Sequence, residues 1–480
     1  MLIIGDCLTM TSPDRAEALL VRDGRIAALG TRRDLAARFA GEKVVRAERV
    51  TPALHDAHAH PLYWGQALET VSVAGLTDPR RVAEAVAARA AALPPGSWIQ
   101  AHGYLFDHYP SSALLDAAVP AHPVLVESRD LHSAWCNSLA LEMAGVGPGT
   151  PDPPGGEVLR GVDGRPTGYL LERAVALVGR ALPAPGPGDL LRGLDDFARR
   201  GFGAVHAMAY ETAPDLPWAE ALARSGRLPV RLWWSLPRGG WRDTRPGWRG
   251  DDLEVAGVKF FGDGSLGSRT AWMFEPYSDG TAGRPLDPVE RIHEEGAEAL
   301  AAGFTLAVHA IGSRAVEEVA AVIAELAPRT RRTLRLEHVQ HVRDTGLARL
   351  ASLPCALSVQ PHHLVGDAAL IARLLPGREG EAFRFRDLLA TGRPVAFGSD
   401  APVLPPDAGA AIHAATHHPL SPEQSLTWEE AVRASTRGAA LAAGWTDDGV
   451  LVPGSRADLA LWEGERLVAR VWRGAVEAVS

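Results

Sequence analysis

The chain has 480 residues and a formal net charge of -9 at pH 7. That balance gives no reason to expect nucleic acid or an anionic membrane as a partner. No window approaches the roughly 20 apolar residues of a membrane span, while a hydrophobic share of 46% supports a large core.

Residues 1 to about 50 read as short strands at Met1–Ile4, Ala18–Val21, Arg25–Leu29 and Lys43–Arg46, with Asp23-Gly24 as a hairpin turn. No basic residue precedes Arg15 and there is no long apolar run, so a signal peptide is not expected. From about 54 to 440 strands alternate with helices, which points to parallel βαβ units. The predicted strands are Leu54–His58, Gly203–Ala207, Val230–Ser235, Val255–Phe261, Thr305–His309, Leu334–His338, Ala356–Gln360 and Pro394–Ser399. Eight such runs suit a (β/α)8 TIM-type barrel of the α/β class. Predicted helices cover Val289–Ala302, Arg314–Leu326 and Trp428–Ala443, the last opening on the capping-box pattern Thr427-Trp-Glu-Glu430.

The stretch from about 95 to 200 exceeds a normal connection. With strands at Trp98–Tyr104 and Val124–Glu127 and a Pro-, Gly- and Asp-rich loop at Pro151–Gly168, it reads as an insertion covering one end of the barrel. The C-terminus returns to strands at Asp458–Trp462 and Leu467–Trp472. Neither terminus could bury a face alone, so residues 1–53 and 441–480 are expected to form one small β-sandwich-like domain, leaving 54–440 as the barrel. Cys7, Cys136 and Cys355 are few, scattered and odd in number, a reduced cytoplasmic pattern of packing residues.

Chemistry concentrates in Thr51-Pro-Ala-Leu-His-Asp-Ala-His-Ala-His60. On a strand, alternate side chains share a face, so His58 and His60 can grip one ion. The C-terminal strand ends of such a barrel form its active site. Here they carry His58, His60, Lys259, His309, His338 and Asp400, each after an apolar run. Any one of these alone reads as a hydrogen-bonded or capping residue; six in register is a different signal. Four imidazoles and a carboxylate suit zinc, manganese or iron, zinc being favoured, as one or two ions per chain. An ammonium cannot ligate a cation, so Lys259 either pairs with Asp263 or another acid, or becomes a carbamate by reaction with carbon dioxide. Of 49 basic residues only Lys43 and Lys259 are lysine. Arginine, which stays protonated, could not make a carbamate.

The chain resembles the amidohydrolase superfamily, in particular amidohydrolase family 3, the branch that includes N-substituted formamide deformylases. The resemblance is carried by Asp56-Ala-His-Ala-His60, His132-Ser-Ala-Trp-Cys-Asn137, Gly156-Glu157, Gly164–Gly168 with Glu172, Val258–Ser265, His309-Ala-Ile-Gly312, Glu337-His-Val-Gln340, Ser358–His363 and Phe397–Pro402. It implies a barrel flanked by a β domain from both termini. It also implies a metal centre of His58, His60, carboxylated Lys259, His309, His338 and Asp400. Two positions depart from the family pattern: Leu131 replaces a glycine and Ser313 an aspartate, both in loops expected near substrate.

The implied activity is hydrolysis of an amide or related C–N bond in a small N-acyl or N-formyl compound. Metal-activated hydroxide would attack the carbonyl, and Asp400 would pass the proton to the leaving amine. Tyr104, His132, Glu172, Arg269 and His363 are further candidates for binding substrate, with a loop or helix-cap contact as the alternative for each. His417-His418 reads as solvated surface. Two other readings stay open: a mononuclear deaminase, which would need a glutamate where Gly312 stands, and a metal-free barrel used for binding or regulation. Oligomeric state is open, a homo-oligomer included.

Overall fold

The computed structural model describes residues 1–104, 109–128, 133–153, 156–209 and 215–479. The chain forms two compact units, Met1–Trp64 with Leu190–Ser480, and Gly65–Asp189.

The first unit contains a nearly closed barrel of eight parallel strands. These are β1 (Leu54–Ala59), β2 (Phe202–Ala207), β3 (Arg231–Pro237), β4 (Leu253–Phe261), β5 (Thr305–Ala310), β6 (Leu334–His338), β7 (Cys355–Val359) and β8 (Val395–Phe397). They pair in sequential order, each parallel to the next. All eight were legible in the sequence, most of them as apolar runs, and they are largely buried on both faces. The ring closes just past β8, where the Asp400 N–H donates to the His58 carbonyl at 2.7 Å and the His60 N–H to the Ala401 carbonyl at 2.9 Å. Gly398 makes that approach possible, because a Cβ there would lie 2.5 Å from the His58 nitrogen. Gly257 does the same inside the barrel, where a Cβ would meet the buried Trp233 indole at 2.5 Å.

Amphipathic helices wrap the strands, among them Val289–Ala301, Ser313–Leu326 and Pro361–Leu374. The helix expected over Trp428–Ala443 starts with the capping box of Thr427 and Glu430, then widens to a π-helical turn at Ala434–Gly438. Gly438 packs against β8 there; a Cβ would overlap the Val395 carbonyl at 1.9 Å. His417 is exposed as expected, but His418 is buried. Its Nε2 donates to the Phe383 carbonyl at 3.1 Å and its Nδ1 accepts the Ser421 N–H at 2.9 Å. Two backbone partners satisfy this imidazole away from water.

Both ends of the chain join one seven-stranded sheet in the order Ala475–Ala478, Arg466–Trp472, Leu459–Glu463, Val44–Pro52, Leu2–Leu8, Arg15–Arg22 and Arg25–Gly30. Val44–Pro52 is its hinge of topology, parallel to Leu2–Leu8 and antiparallel to Leu459–Glu463. Asp23 and Gly24 take φ of 49° and 69°, the left-handed pair that a tight hairpin between twisted strands requires. A short helix, Arg32–Arg38, has no counterpart among the sequence expectations. It buries only Leu35 and is started by Thr31, whose side chain accepts the Asp34 N–H.

The second unit is built on a six-stranded sheet in the order Gly156–Arg160, Pro166–Glu172, Ser133–Cys136, Val124–Ser128, Ile99–Tyr104 and Val71–Ser72. One face packs Val82, Val86, Ile99, Val126 and Trp135; the other packs Leu125, Cys136, Leu141, Leu170 and Val178. The stretch expected as a loop over Pro151–Gly168 is largely a hairpin instead. Gly164 takes φ 74° in its turn and Pro166 opens the second strand. Among the described residues no helix is long and apolar enough to cross a membrane.

Gly398→Ala is expected to destabilise the protein by about 1–3 kcal/mol through overpacking at the barrel seam. Differential scanning calorimetry should show a melting temperature lower by several degrees, while Gly41→Ala, where a Cβ meets nothing within 4 Å, should leave it unchanged. Equal melting temperatures for both variants would refute the close approach of β1 and β8.

Candidate metal centre

Alternation along β6 aims Arg335 and Glu337 inward, which leaves His338 facing away from the barrel axis. His338 escapes this through a φ of 74°, followed by Val339 at 44°. The turn swings its imidazole to 4.7 Å, centroid to centroid, from His58 and 4.3 Å from His309. Asp400, just past β8, also lies in the left-handed region at φ 59°. Non-glycine residues there are uncommon and cluster at functional sites.

The structure brings five sequence-predicted residues into one buried cluster. Ligand-type atoms of His58, His338 and Asp400 lie within 4.8 Å of one another. His60 Nε2 is 3.0 Å from Asp400 Oδ1, and Lys259 Nζ is 3.4 Å from His58 Nε2. His309 adjoins through its ring contact with His338, while its Nε2 donates to the Gly264 carbonyl at 3.1 Å. Lys259 does not pair with Asp263. That carboxylate is fully buried and accepts the N–H groups of Trp272, Ile311 and Gly312 at 2.7–2.9 Å, tying the segment after β4 to the one after β5.

A hydrogen bond to a buried carboxylate sets which nitrogen His58 presents. His58 Nδ1–H donates to Glu337 Oε2 at 2.7 Å, leaving the Nε2 lone pair toward the cluster. His60 lies between two acceptors, its Nδ1 2.8 Å from the Met208 carbonyl oxygen and its Nε2 3.0 Å from Asp400 Oδ1. Burial, aided by Lys259, lowers the His58 pKa to about 4 and that of His309 to about 3. Burial and neighbouring imidazoles hold His338 well below its usual range, so these three rings are neutral donors at pH 7. Burial also lowers Lys259 to about 8. It would raise Asp400, but the His60 hydrogen bond and surrounding imidazoles outweigh it and keep the carboxyl ionised. A neutral-imidazole, carboxylate and amine set of this kind fits a divalent ion.

Sequence reasoning gave no role to Glu337 or Arg335, both fully buried. Arg335 holds Glu337 with two hydrogen bonds, at 2.8 and 3.2 Å. It also donates to His206 Nδ1 at 2.8 Å and to the Ala57 carbonyl at 2.6 Å, and lies over the Trp233 ring. The available signal was Leu334-Arg-Leu-Glu-His338, two charges two residues apart on an apolar strand. Asp56 was also missed as a site element. Its Oδ1 accepts the N–H groups of His58 and Ser399 at 3.2 and 3.0 Å, across the seam.

His363 is close to the centre, with Nε2 3.1 Å from the carbonyl of Ser399, which precedes Asp400. Arg269 is half exposed and paired with Asp279 at 2.7 Å. Tyr104 belongs to the second unit, where its hydroxyl bonds Tyr169 at 2.7 Å and Ser133 at 3.0 Å. His132, Leu131 and the Glu172 side chain lie outside the described residues. Ser313 does not sit in an open loop: it starts a helix, is fully buried and accepts the Phe274 N–H at 3.3 Å. Gly312 has no room for the glutamate of a deaminase, since a Cβ would lie 2.2 Å from the Trp272 carbonyl oxygen.

Relatives match this chain over most of their length. Bacillus subtilis (strain 168) YtcJ, a protein designated an amidohydrolase, is 29% identical over 459 residues, covering 89% of this chain and 87% of its own. The N-substituted formamide deformylase of Arthrobacter pascens is 27% identical over 485 residues, covering 92% and 89%. The crystal structure of an uncharacterized metal-dependent hydrolase from Pyrococcus furiosus superposes with a TM-score of 0.82 at 26% identity, covering 97% of this chain and 99% of that one. The sequence model of the amidohydrolase family matches residues 48–475, a span that takes in every residue of the cluster, and the chain belongs to that family.

Proposed function

We propose that the protein is a metal-dependent hydrolase of a non-peptide C–N bond, acting on a small N-acyl or N-formyl compound. One observation carries the reading: neutral His58 and His338 converge with ionised Asp400 in a buried cluster at the barrel's strand ends. The proposed holders of the ion are His58, His60, Lys259, His309, His338 and Asp400, with zinc the metal that best suits this nitrogen and oxygen donor set. When bound, such an ion supplies Lewis acidity to a carbonyl and makes water acidic enough to react at neutral pH.

The chain's own residues supply the rest. Asp400 Oδ1 accepts a proton from the attacking water and returns it to the departing nitrogen. His60, anchored to the Met208 carbonyl, orients that carboxylate. Glu337 fixes the tautomer of His58, a role that carboxylates commonly fill beside metal-binding imidazoles. Lys259, with its pKa near 8, has an appreciable neutral amine fraction at neutral pH. That amine can add to carbon dioxide, forming an N–C bond and releasing a proton, to give a carbamate with two oxygen donors. The likeness to a formamide deformylase supports N-formyl compounds as the first substrates to test. The crowding at Gly312 speaks against a deaminase. Three buried free cysteines fit a reducing compartment, and the cytoplasm is the proposed location.

Purified protein is expected to release amine from N-formyl or N-acyl amines, to lose that activity on chelation and to regain it with added zinc. Undiminished turnover after exhaustive metal removal, checked by elemental analysis, would exclude the mechanism. Lys259→Arg should lose metal and most activity although it keeps the lysine charge. Lys259→Ala should recover in part with added short carboxylic acids, whereas full activity of the Arg variant would refute the carbamate. Glu337→Gln should weaken metal binding about 10–100-fold, read by competition with a fluorescent chelator. An unchanged dissociation constant would remove Glu337 from its orienting role.

A further inference from the structure

The helix Pro361–Leu374 follows β7 and carries His363, Asp367, Leu370 and Leu374 along one stripe at helical spacing. Its first turn meets the metal strands, through His363 Nε2 and the Ser399 carbonyl at 3.1 Å. Its last turn meets the segment that follows β4. The Ser278 N–H donates to the Leu374 carbonyl at 2.9 Å, and a Cβ on Gly267 would lie 4.0 Å from Leu370. Asp367 sits between these two contacts, so the stripe places it at the C-terminal end of the barrel, between the centre and the β4 segment.

Gln340, two residues beyond His338, is buried and donates from Nε2 to Asp367 Oδ2 at 2.8 Å. The backbone carbonyl of Gln340 accepts the Phe383 N–H at 2.8 Å, which anchors the main chain that carries this amide. The polar groups acting on Asp367 are this amide and the His363 imidazole, with no lysine or arginine among them in the described residues. A half-buried carboxylate without a basic partner is costly. Asp56 and Asp263 are likewise buried without a lysine or arginine, but each accepts two or three backbone N–H groups, whereas Asp367 has the Gln340 amide. Among the described residues the Gln340 amide is the hydrogen-bond donor recorded to Asp367, at Oδ2, and a carboxylate has further lone pairs with which to accept from a ligand.

We propose that Asp367, clamped by Gln340 and flanked by His363, is the specificity group for the amine portion of the substrate, its carboxylate accepting hydrogen bonds from an ammonium or other N–H donor there. This rests on the site being an amide hydrolase, and it narrows the substrate class to amides whose amine side carries such a donor. The acyl side of an amide presents acceptors, which a carboxylate repels, so the amine side is the part that matches. Val403, three residues beyond Asp400, is an exposed apolar side chain, which suits an ammonium on a hydrocarbon body.

The test is calorimetric binding of methylammonium, n-butylammonium and benzylammonium to the metal-loaded full chain, with neutral benzyl methyl ether as the control. At least one ammonium ion should bind the native protein about tenfold or more tightly than it binds Asp367→Asn, a difference of one decade in Kd. The ether should bind both alike. Gln340→Leu keeps the carboxylate and removes its clamp, so about a threefold or larger loss is expected; it also carries the test should Asp367→Asn fail to fold, and in that variant unchanged affinity overturns the proposal. Equal ammonium affinity in native protein and Asp367→Asn, or no ammonium binding to the native protein, overturns it as well. None of these readouts requires turnover. A protein that splits no N-acyl or N-formyl compound yet shows the Asp367-dependent preference would sink the hydrolase reading alone. A working hydrolase without the preference would sink this inference alone.

Discussion

The seam where β1 meets the chain leaving β8 is the constraint on which the site depends. A single carboxylate, Asp56, accepts backbone N–H groups from both sides of it, and the His58 carbonyl accepts the Asp400 N–H. Closure of the barrel and placement of His58, His60 and Asp400 are therefore one event. Gly398 is the steric condition for it, since any side chain there would push the two strands apart. Asp56 is fully buried at the seam, and burial drives its carboxyl up to about 7 against the pull of these donors.

Beneath the centre the barrel interior departs from the usual branched apolar filling. Arg335 and Glu337 are fully buried beside His206 and Trp233. Burying an ion pair costs several kcal/mol per charge and is offset only when geometry and further hydrogen bonds are good. Here the pair is doubly bonded, the remaining guanidinium donors reach His206 and Ala57, and the remaining carboxylate capacity goes to His58. A pair that merely filled space would be replaceable by hydrocarbon at no loss. This one ends on the ring nitrogen of a metal-site histidine, so its electrostatics are tied to function. Losing either partner strands a buried charge, at about 3–5 kcal/mol.

How much of this was legible in the sequence follows from where the information lies. The eight strands and their order are local, written mostly in apolar runs, and so are the strand-end histidines, Lys259 and Asp400. What eluded sequence reasoning is decided by neighbours distant in the chain. His338 was correctly singled out, yet only its left-handed backbone turns it toward His58 when Glu337 already faces inward. His418 looked like loop surface because its two backbone partners, Phe383 and Ser421, include one far away in sequence. The Pro151–Gly168 stretch has loop composition but strand pairing, since its partners on Ser133–Cys136 are not visible in composition. Helix Arg32–Arg38 offers a single buried leucine, too little periodicity to notice. Arg269 and Tyr104 were chosen by residue type alone, and each is engaged with partners of its own.

Strain and burial at the centre point the same way. His338, Val339 and Asp400 each occupy left-handed backbone at about 1 kcal/mol or more apiece. Burial holds His58, His309 and His338 neutral beside the Asp400 carboxylate. None of these arrangements stabilises the chain by itself. Each makes sense once a cation shares the space, because the ion supplies the charge that the lone pairs and the Asp400 carboxylate await. The regular barrel provides the stability from which this is drawn, through a ring of buried strands whose ladder does not depend on the site. The cost falls on the few residues past the strand ends, where the backbone has left the sheet and can be bent toward chemistry without loosening the core. Lysine at 259 obeys the same logic: on β4, still within the ladder, its backbone is regular, and only the burial of its amine departs from the ordinary.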